Sequence, residues 1–284
     1  MFEQDSPGAQ ALHLPFAVAD QQDGAPLAGQ VRFIVLSHYL CGAGLLLSGL
    51  DQRPGVKAFG EPLNASEDAR RMCSGHELAG FRLGEDGAGY LDQQLFGSQA
   101  GRAARTVGCL MAYGDARADR SMHSAWTYLI ENADIRVIHL TRRNRLEHLV
   151  EMTAVERVQG WLDPSTRAPD HALEPFSLSS YACQEEFDRQ VAHQLWARRA
   201  FSSHPLLELE FERDIRGDFR DALVRTCRFL DVDPPELGHP VGAYRPQIRV
   251  SPELLILNYQ ELKEHFQYTL YQDLFSSPRP GVAC

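Results

Sequence analysis

The run Val31-Arg32-Phe33-Ile34-Val35-Leu36-Ser37, followed by Gly42-Ala43-Gly44 and an apolar stretch over 45–50, limits what this chain can fold into more than any other feature. A short, β-branched apolar block ending in small and polar residues reads as a strand buried on both faces, as parallel strands are. The glycine turn feeds an apolar helix that stops at the turn cluster Asp51-Gln52-Arg53-Pro54-Gly55. Strand, glycine loop and helix in series are the layout of a phosphate-holding loop, in which backbone amides at a helix N-terminus face an anion.

The same alternation continues. A second short strand over 56–60 delivers Glu61-Pro62-Leu63-Asn64, and further strands are expected over 106–112, 135–140 and 206–211, that over 135–140 ending at Thr141-Arg142-Arg143-Asn144. Helices are expected over 90–96, 146–161, 185–200, 218–230 and 252–266. Strands alternating with helices imply an α/β domain with a central parallel sheet flanked by helices. We read one domain over 30–276, a loosely held leader over 1–29 and a flexible tail over 277–284. Open α/β sheets bind ligands at the C-terminal ends of their strands, so Glu61 is expected to face the same crevice as the glycine loop. The stretches 66–89 and 163–183 are expected to shape the pocket of a small-molecule acceptor.

Composition narrows the function classes. A formal charge of −10 argues against a nucleic-acid backbone as the main partner. The most apolar stretch, 31–50, is broken by Arg32, Ser37, His38 and three glycines, which fits a strand and helix and not a membrane span. The first ten residues lack the basic and apolar regions of a secretory signal, so a cytoplasmic protein is expected. The six cysteines (41, 73, 109, 183, 227 and 284) show no paired metal spacing and read as free thiols, with no metal expected. An alternative concerns His38, Cys41 and Cys109, all expected at strand ends around one pocket, where a thiol–imidazole pair or a metal site would be possible chemistry. Cys41, at a helix N-terminus, is expected to have a lowered pKa.

From residue 32 to residue 275 the blocks resemble, in order, those of bacterial PAPS-dependent sulfotransferases. The stretch 32–47 is similar to the strand and loop that hold the 5′-phosphosulfate. Phe59-Gly60-Glu61-Pro62 resembles an acceptor-side motif whose Glu is the base, 135–150 the strand and helix that bind the 3′-phosphate, and 247–273 the closing loop and final helix. The resemblance implies a P-loop sulfotransferase-like fold and PAPS as cofactor. Glu61 is then the general base, with His38 beside it. Donor contacts fall to Leu40, Cys41, Gly42, Ala43, Gly44, Leu45, Arg143, Glu151, Arg245 and Arg249.

The chain also departs from that pattern. Leu40 stands where the loop usually has a basic residue, Cys109 where a strand usually has Lys, and Glu151 where a serine helps to bind the 3′-phosphate. A carboxylate at 151 is expected to oppose the donor, because like charges at about 4 Å and an effective dielectric near 20 repel by about 4 kcal/mol. Two enzyme readings follow: transfer of a sulfuryl group from PAPS to a hydroxyl or amine, or a homologue that has abandoned PAPS and runs another reaction in the same crevice. A non-catalytic binding protein is the third, and a homodimer is left open.

Overall fold

The computed structural model describes residues 29–63, 86–113, 120–157, 174–236 and 251–276. Five strands, β1 (Val31–Ser37), β2 (Val56–Phe59), β3 (Thr106–Ala112), β4 (Arg136–Thr141) and β5 (Leu206–Glu210), form one sheet in the order β2-β3-β1-β4-β5. Each of its four pairings is parallel, so all five C-terminal ends lie along one edge.

The continuous apolar runs form strands because both faces of the sheet are covered. In β1, Phe33 and Val35 join a cluster with Leu46, Leu47 and Leu50 of helix α1 (Ala43–Asp51). Ile34 and Leu36 point the other way, into a cluster with Ala125, Trp126 and Leu129 of helix α2 (Arg120–Glu131). All four β1 side chains are fully buried, each stabilising the fold by about 1.5–3 kcal/mol relative to an exposed position. Helix α3 (Arg145–Arg157) and helix α4 (Ser180–Ala200) contribute to a third apolar cluster beside the sheet, and helix α5 (Phe219–Phe229) packs on the α1 face.

The helix expected over 252–266 is interrupted. A short turn (Pro252–Leu255) and helix α6 (Tyr259–Phe266) are separated at Ile256, whose neighbours pair with Phe176: Phe176 N–H donates to Leu255 O at 2.8 Å, and Leu257 N–H donates to Phe176 O at 2.8 Å. Apolar periodicity alone does not reveal a backbone partner so distant in sequence. The expected leader except Gly29, the tail, and residues 158–161 of the expected 146–161 helix lie outside the described residues. Among the described residues no helix is long and apolar enough to cross a membrane.

Gly108 of β3 stands opposite Phe33 of β1. A Cβ there would lie 2.3 Å from the Phe33 carbonyl oxygen and 2.5 Å from its ring, so a methyl group fits only if the two strands part. Gly108→Ala is therefore expected to cost about 3 kcal/mol, the upper range for overpacking, and to lower the thermal unfolding midpoint accordingly.

Candidate functional site

The strand order makes β1 the point from which the chain turns off to either side, with β3 and then β2 on one flank and β4 then β5 on the other. In open parallel sheets the crevice opens at such a point. Register fixes what stands there: Ser37 lies level with Ala112 of β3 and Leu140 of β4, so the residues just beyond them, His38, Tyr113 and Thr141, line up across the edge. Glu61 follows β2, whose pairing continues one residue past its end through Leu110 N–H donating to Gly60 O at 3.0 Å. Arg142 follows β4.

Glu61 is only 3% exposed. A carboxylate is expensive to bury, and buried ones concentrate where a protein uses them. The loop after β1 runs to Gly42, the N-cap of α1, in a left-handed conformation at φ 78°. That conformation and the close packing of Ile215, whose Cγ2 would lie 2.5 Å from a Cβ at position 42, both require glycine. Leu40 is left-handed too, at φ 56°, and its carbonyl turns inward. Cys41 and Ala43 are buried, and Gly44 and Leu45 half-buried, at the start of α1.

The loop is held from below. Arg142 Nη1 donates to Leu40 O at 3.1 Å, and the imidazole of His148 donates from Nε2 to Tyr39 O at 2.8 Å while Gln190 donates to its Nδ1 at 2.9 Å. Arg142 also makes a bidentate pair with Glu151, at 2.6 and 3.0 Å, and lies 4.4 Å from the centre of the Phe211 ring. Burial works against the charge on Arg142, but its bonds to Glu151 outweigh that and hold the guanidinium above its ordinary pKa. Burial in turn lifts Glu151 above the usual carboxylate range, against the pull of Arg142.

Three sequence expectations are corrected here. Arg143 does not reach into the edge: its side chain is 75% exposed, and its Nε lies 4.0 Å from Glu210. The strand alternation that buries Arg142 turns its neighbour to solvent. Cys41 is not activated; burial pushes its thiol up to about 12, ahead of the opposing influence of Arg142. Cys109 is not at a strand end but in mid-β3, opposite Ile34, on the α2 face of the sheet, whereas Cys41 packs on the α1 face. Burial raises its thiol pKa further still, and the two sulfurs lie in separate clusters on opposite faces of the sheet. Among the described residues no group of three or more His, Cys, Asp or Glu is arranged to hold a metal ion. Arg245 and Arg249 lie outside the described residues.

Beside His38 stands a group that sequence reasoning missed. The Tyr113 hydroxyl and His139 Nε2 are 2.5 Å apart, His139 Nδ1 lies 3.5 Å from Glu208 Oε1, and Arg198 binds that carboxylate at 2.5 Å. The tautomer that suits both neighbours puts the ring proton on Nδ1, facing Glu208, and leaves Nε2 to accept from the phenol. The Tyr113 ring stacks on His193, with centroids 5.0 Å apart, and His38 lies 4.6 Å from Tyr113 and 5.1 Å from His193. Burial raises the Tyr113 pKa, so the hydroxyl keeps its proton at neutral pH. The available signal was a histidine in the middle of an apolar strand, His139, in register with a glutamate on the next strand.

No family model matches the chain, and no curated protein sequence matches it. Among solved structures it is similar in fold to a sulfotransferase from Alicyclobacillus acidocaldarius, at 15% identity over 84% of this chain and 92% of that one, with a TM-score of 0.45. The sulfotransferase domain of the curacin biosynthetic pathway is similar at 15% identity over 88% and 93% of the two chains, TM-score 0.44. Mouse sulfotransferase SULT7A1, complexed with PAP, is similar at 11% identity over 86% and 87%, TM-score 0.43.

At the corner to which the sequence resemblance assigns a 3′-phosphate of PAPS, the residues present do not fit that group. Arg143 points away, Arg142 is already bound by Glu151, and the backbone N–H groups of Arg143 and Asn144 donate to the Glu212 carboxylate at 3.0 and 2.8 Å.

Neutral imidazoles around the loop make stability depend on pH. Burial, then repulsion from Arg142, lowers His148 to about 4; burial, then repulsion from His148 and His193, lowers His38 to about 2. With an unfolded value near 6.5, each contributes stability that is complete above about pH 6.5 and is lost, at no more than about 1.4 kcal/mol per pH unit, as pH falls toward the folded value. Urea unfolding at pH 7.5, 6.0 and 5.0, above the range of most carboxylates, is expected to show this decline, and His148→Gln is expected to be less stable at pH 7.5 but to decline less steeply.

Proposed function

We propose that the chain is a transferase of the sulfotransferase type that places a sulfuryl group on a hydroxyl or amine of a small molecule, with Glu61 as the general base. The observation that carries this is the burial of Glu61, 3% exposed, on the C-terminal edge of the sheet, two strands from the glycine turn between β1 and α1. A donor, when bound, supplies the sulfuryl group and leaves with the electron pair of the broken S–O bond. Glu61 takes the proton of the acceptor's O–H or N–H as its lone pair forms the new bond to sulfur. His38, held neutral by its surroundings and with no hydrogen bond at Nε2 among the described residues, orients the acceptor. The amides at the start of α1 face the donor's anionic end.

Radiolabelled sulfuryl transfer from phosphosulfate donors to a panel of phenols, sugars and amines tests this reading. Glu61→Gln is expected to lower the rate by about a hundredfold to ten-thousandfold, the usual contribution of a positioned base. An unchanged rate in that variant removes Glu61 from the chemistry.

A second reading is favoured by the Tyr113–His139–Glu208 series. In it the same crevice carries out proton abstraction, cyclisation or hydrolysis, with Glu61 as base and the Tyr113 phenol as proton donor, its hydroxyl held by His139. Under this reading Tyr113→Phe abolishes activity toward the natural substrate; under the first, transfer survives it.

A further inference from the structure

We infer that the corner between β4 and α3 is an anion site that the chain fills with its own carboxylates, so that the crevice selects a ligand with no phosphate at that position. The inference rests on reading the edge as a sulfotransferase-type crevice, and it names the class of donor the crevice accepts: one with a single anionic end, such as a nucleoside 5′-phosphosulfate without a 3′-phosphate.

Two kinds of positive group stand at this corner, and each already has an internal acceptor. The first is the Arg142 guanidinium, whose two terminal nitrogens donate to Glu151 at 2.6 and 3.0 Å in the fork geometry that Arg uses for phosphate as readily as for carboxylate. The second is the opening of α3, where the amides of Arg143 and Asn144 converge on the two oxygens of Glu212, an arrangement a phosphate could equally occupy. Glu147 lies 3.5 Å from Arg142 and is bound through both oxygens by Arg216, while Arg143 is turned to solvent. Arg142 thus meets Glu147 and Glu151, and Arg216 meets Glu147, while Glu212 sits on the two amides. An incoming phosphate would find acceptors where it needs donors.

A plain stabilising role is a weak explanation for the buried pair, since the desolvation of both ions offsets much of their attraction. Its placement has a more specific effect. The same Arg142 nitrogen that binds Glu151 also donates to Leu40 O, so the carboxylate holds the guanidinium where it shapes the loop after β1. In a site that used a ligand phosphate for this purpose, the loop would be shaped only when ligand was bound. Here Glu151 does so permanently, and the specificity of the crevice changes with it.

Calorimetric titration of the full chain with adenosine 3′,5′-bisphosphate and with AMP distinguishes the possibilities. The wild type is expected to bind the bisphosphate no more tightly than AMP, whereas Glu151→Ser gains roughly 10- to 100-fold for the bisphosphate alone, the scale of a charge-assisted contact. Wild-type binding of the bisphosphate tenfold or more above AMP overturns the inference and leaves the proposed transfer reaction standing. If the wild type binds neither nucleotide but Glu151→Ser acquires the bisphosphate, the inference stands and a nucleotide donor does not. If neither protein binds either nucleotide, the inference fails. Because Glu151→Ser leaves Arg142 unpaired and can unfold the chain, Glu151→Gln gives an independent readout: inorganic phosphate is expected to raise its thermal midpoint well beyond any shift in the wild type. Equal shifts in the two proteins overturn the inference.

Discussion

β1 is hydrogen-bonded along both edges and covered on both faces, and its register against β3 is set where Phe33 meets Gly108. A slip of one residue would place Val107 or Cys109 against the Phe33 ring, where even one added carbon has no room. The register is therefore held by packing as well as by hydrogen bonds. Everything at the ligand edge depends on it. His38, Tyr113 and Arg142 each follow their strands by one residue, so the height at which they stand, and with it the contacts to His139, His193 and Leu40, descends from that single steric match.

The sheet was legible in the sequence because strands covered on both faces must be apolar throughout, and 31–37 and 106–112 are the strand bounds observed. The strands expected over 56–60 and 206–211 end one residue early, and that expected over 135–140 is displaced by one residue at both ends. Side-chain placement was less legible. Arg142 and Arg143 are chemically identical neighbours, and only the phase of the strand decides that one is buried and the other exposed. Cys109 looked like a pocket residue because a family pattern was carried over position by position, but it is a mid-strand core residue on the face opposite Cys41. Tyr113 and His139 are 26 positions apart in sequence, and nothing local announces that β3 and β4, on either side of β1, bring them to hydrogen-bond distance.

Glu151 illustrates why a charge in a site has to be read with its partner. Taken alone, a carboxylate replacing a serine is a repulsive group. In the fold it is one half of a buried pair with Arg142, and the balance of charge at the corner depends equally on Glu147, Glu212 and Arg216. Single-position comparison cannot recover such a balance, because the partners come from β4, α3 and the segment after β5.

Leu40 holds a left-handed backbone at φ 56°, a conformation that costs a residue with a side chain roughly 1–2 kcal/mol. The Arg142 and His148 bonds to the carbonyls of Leu40 and Tyr39 keep the loop in that shape from beneath. The ordering that a flexible loop would undergo at the moment of binding has thus already taken place during folding. A ligand arriving at this edge meets a rigid turn, and its affinity is not reduced by the entropy of closing one.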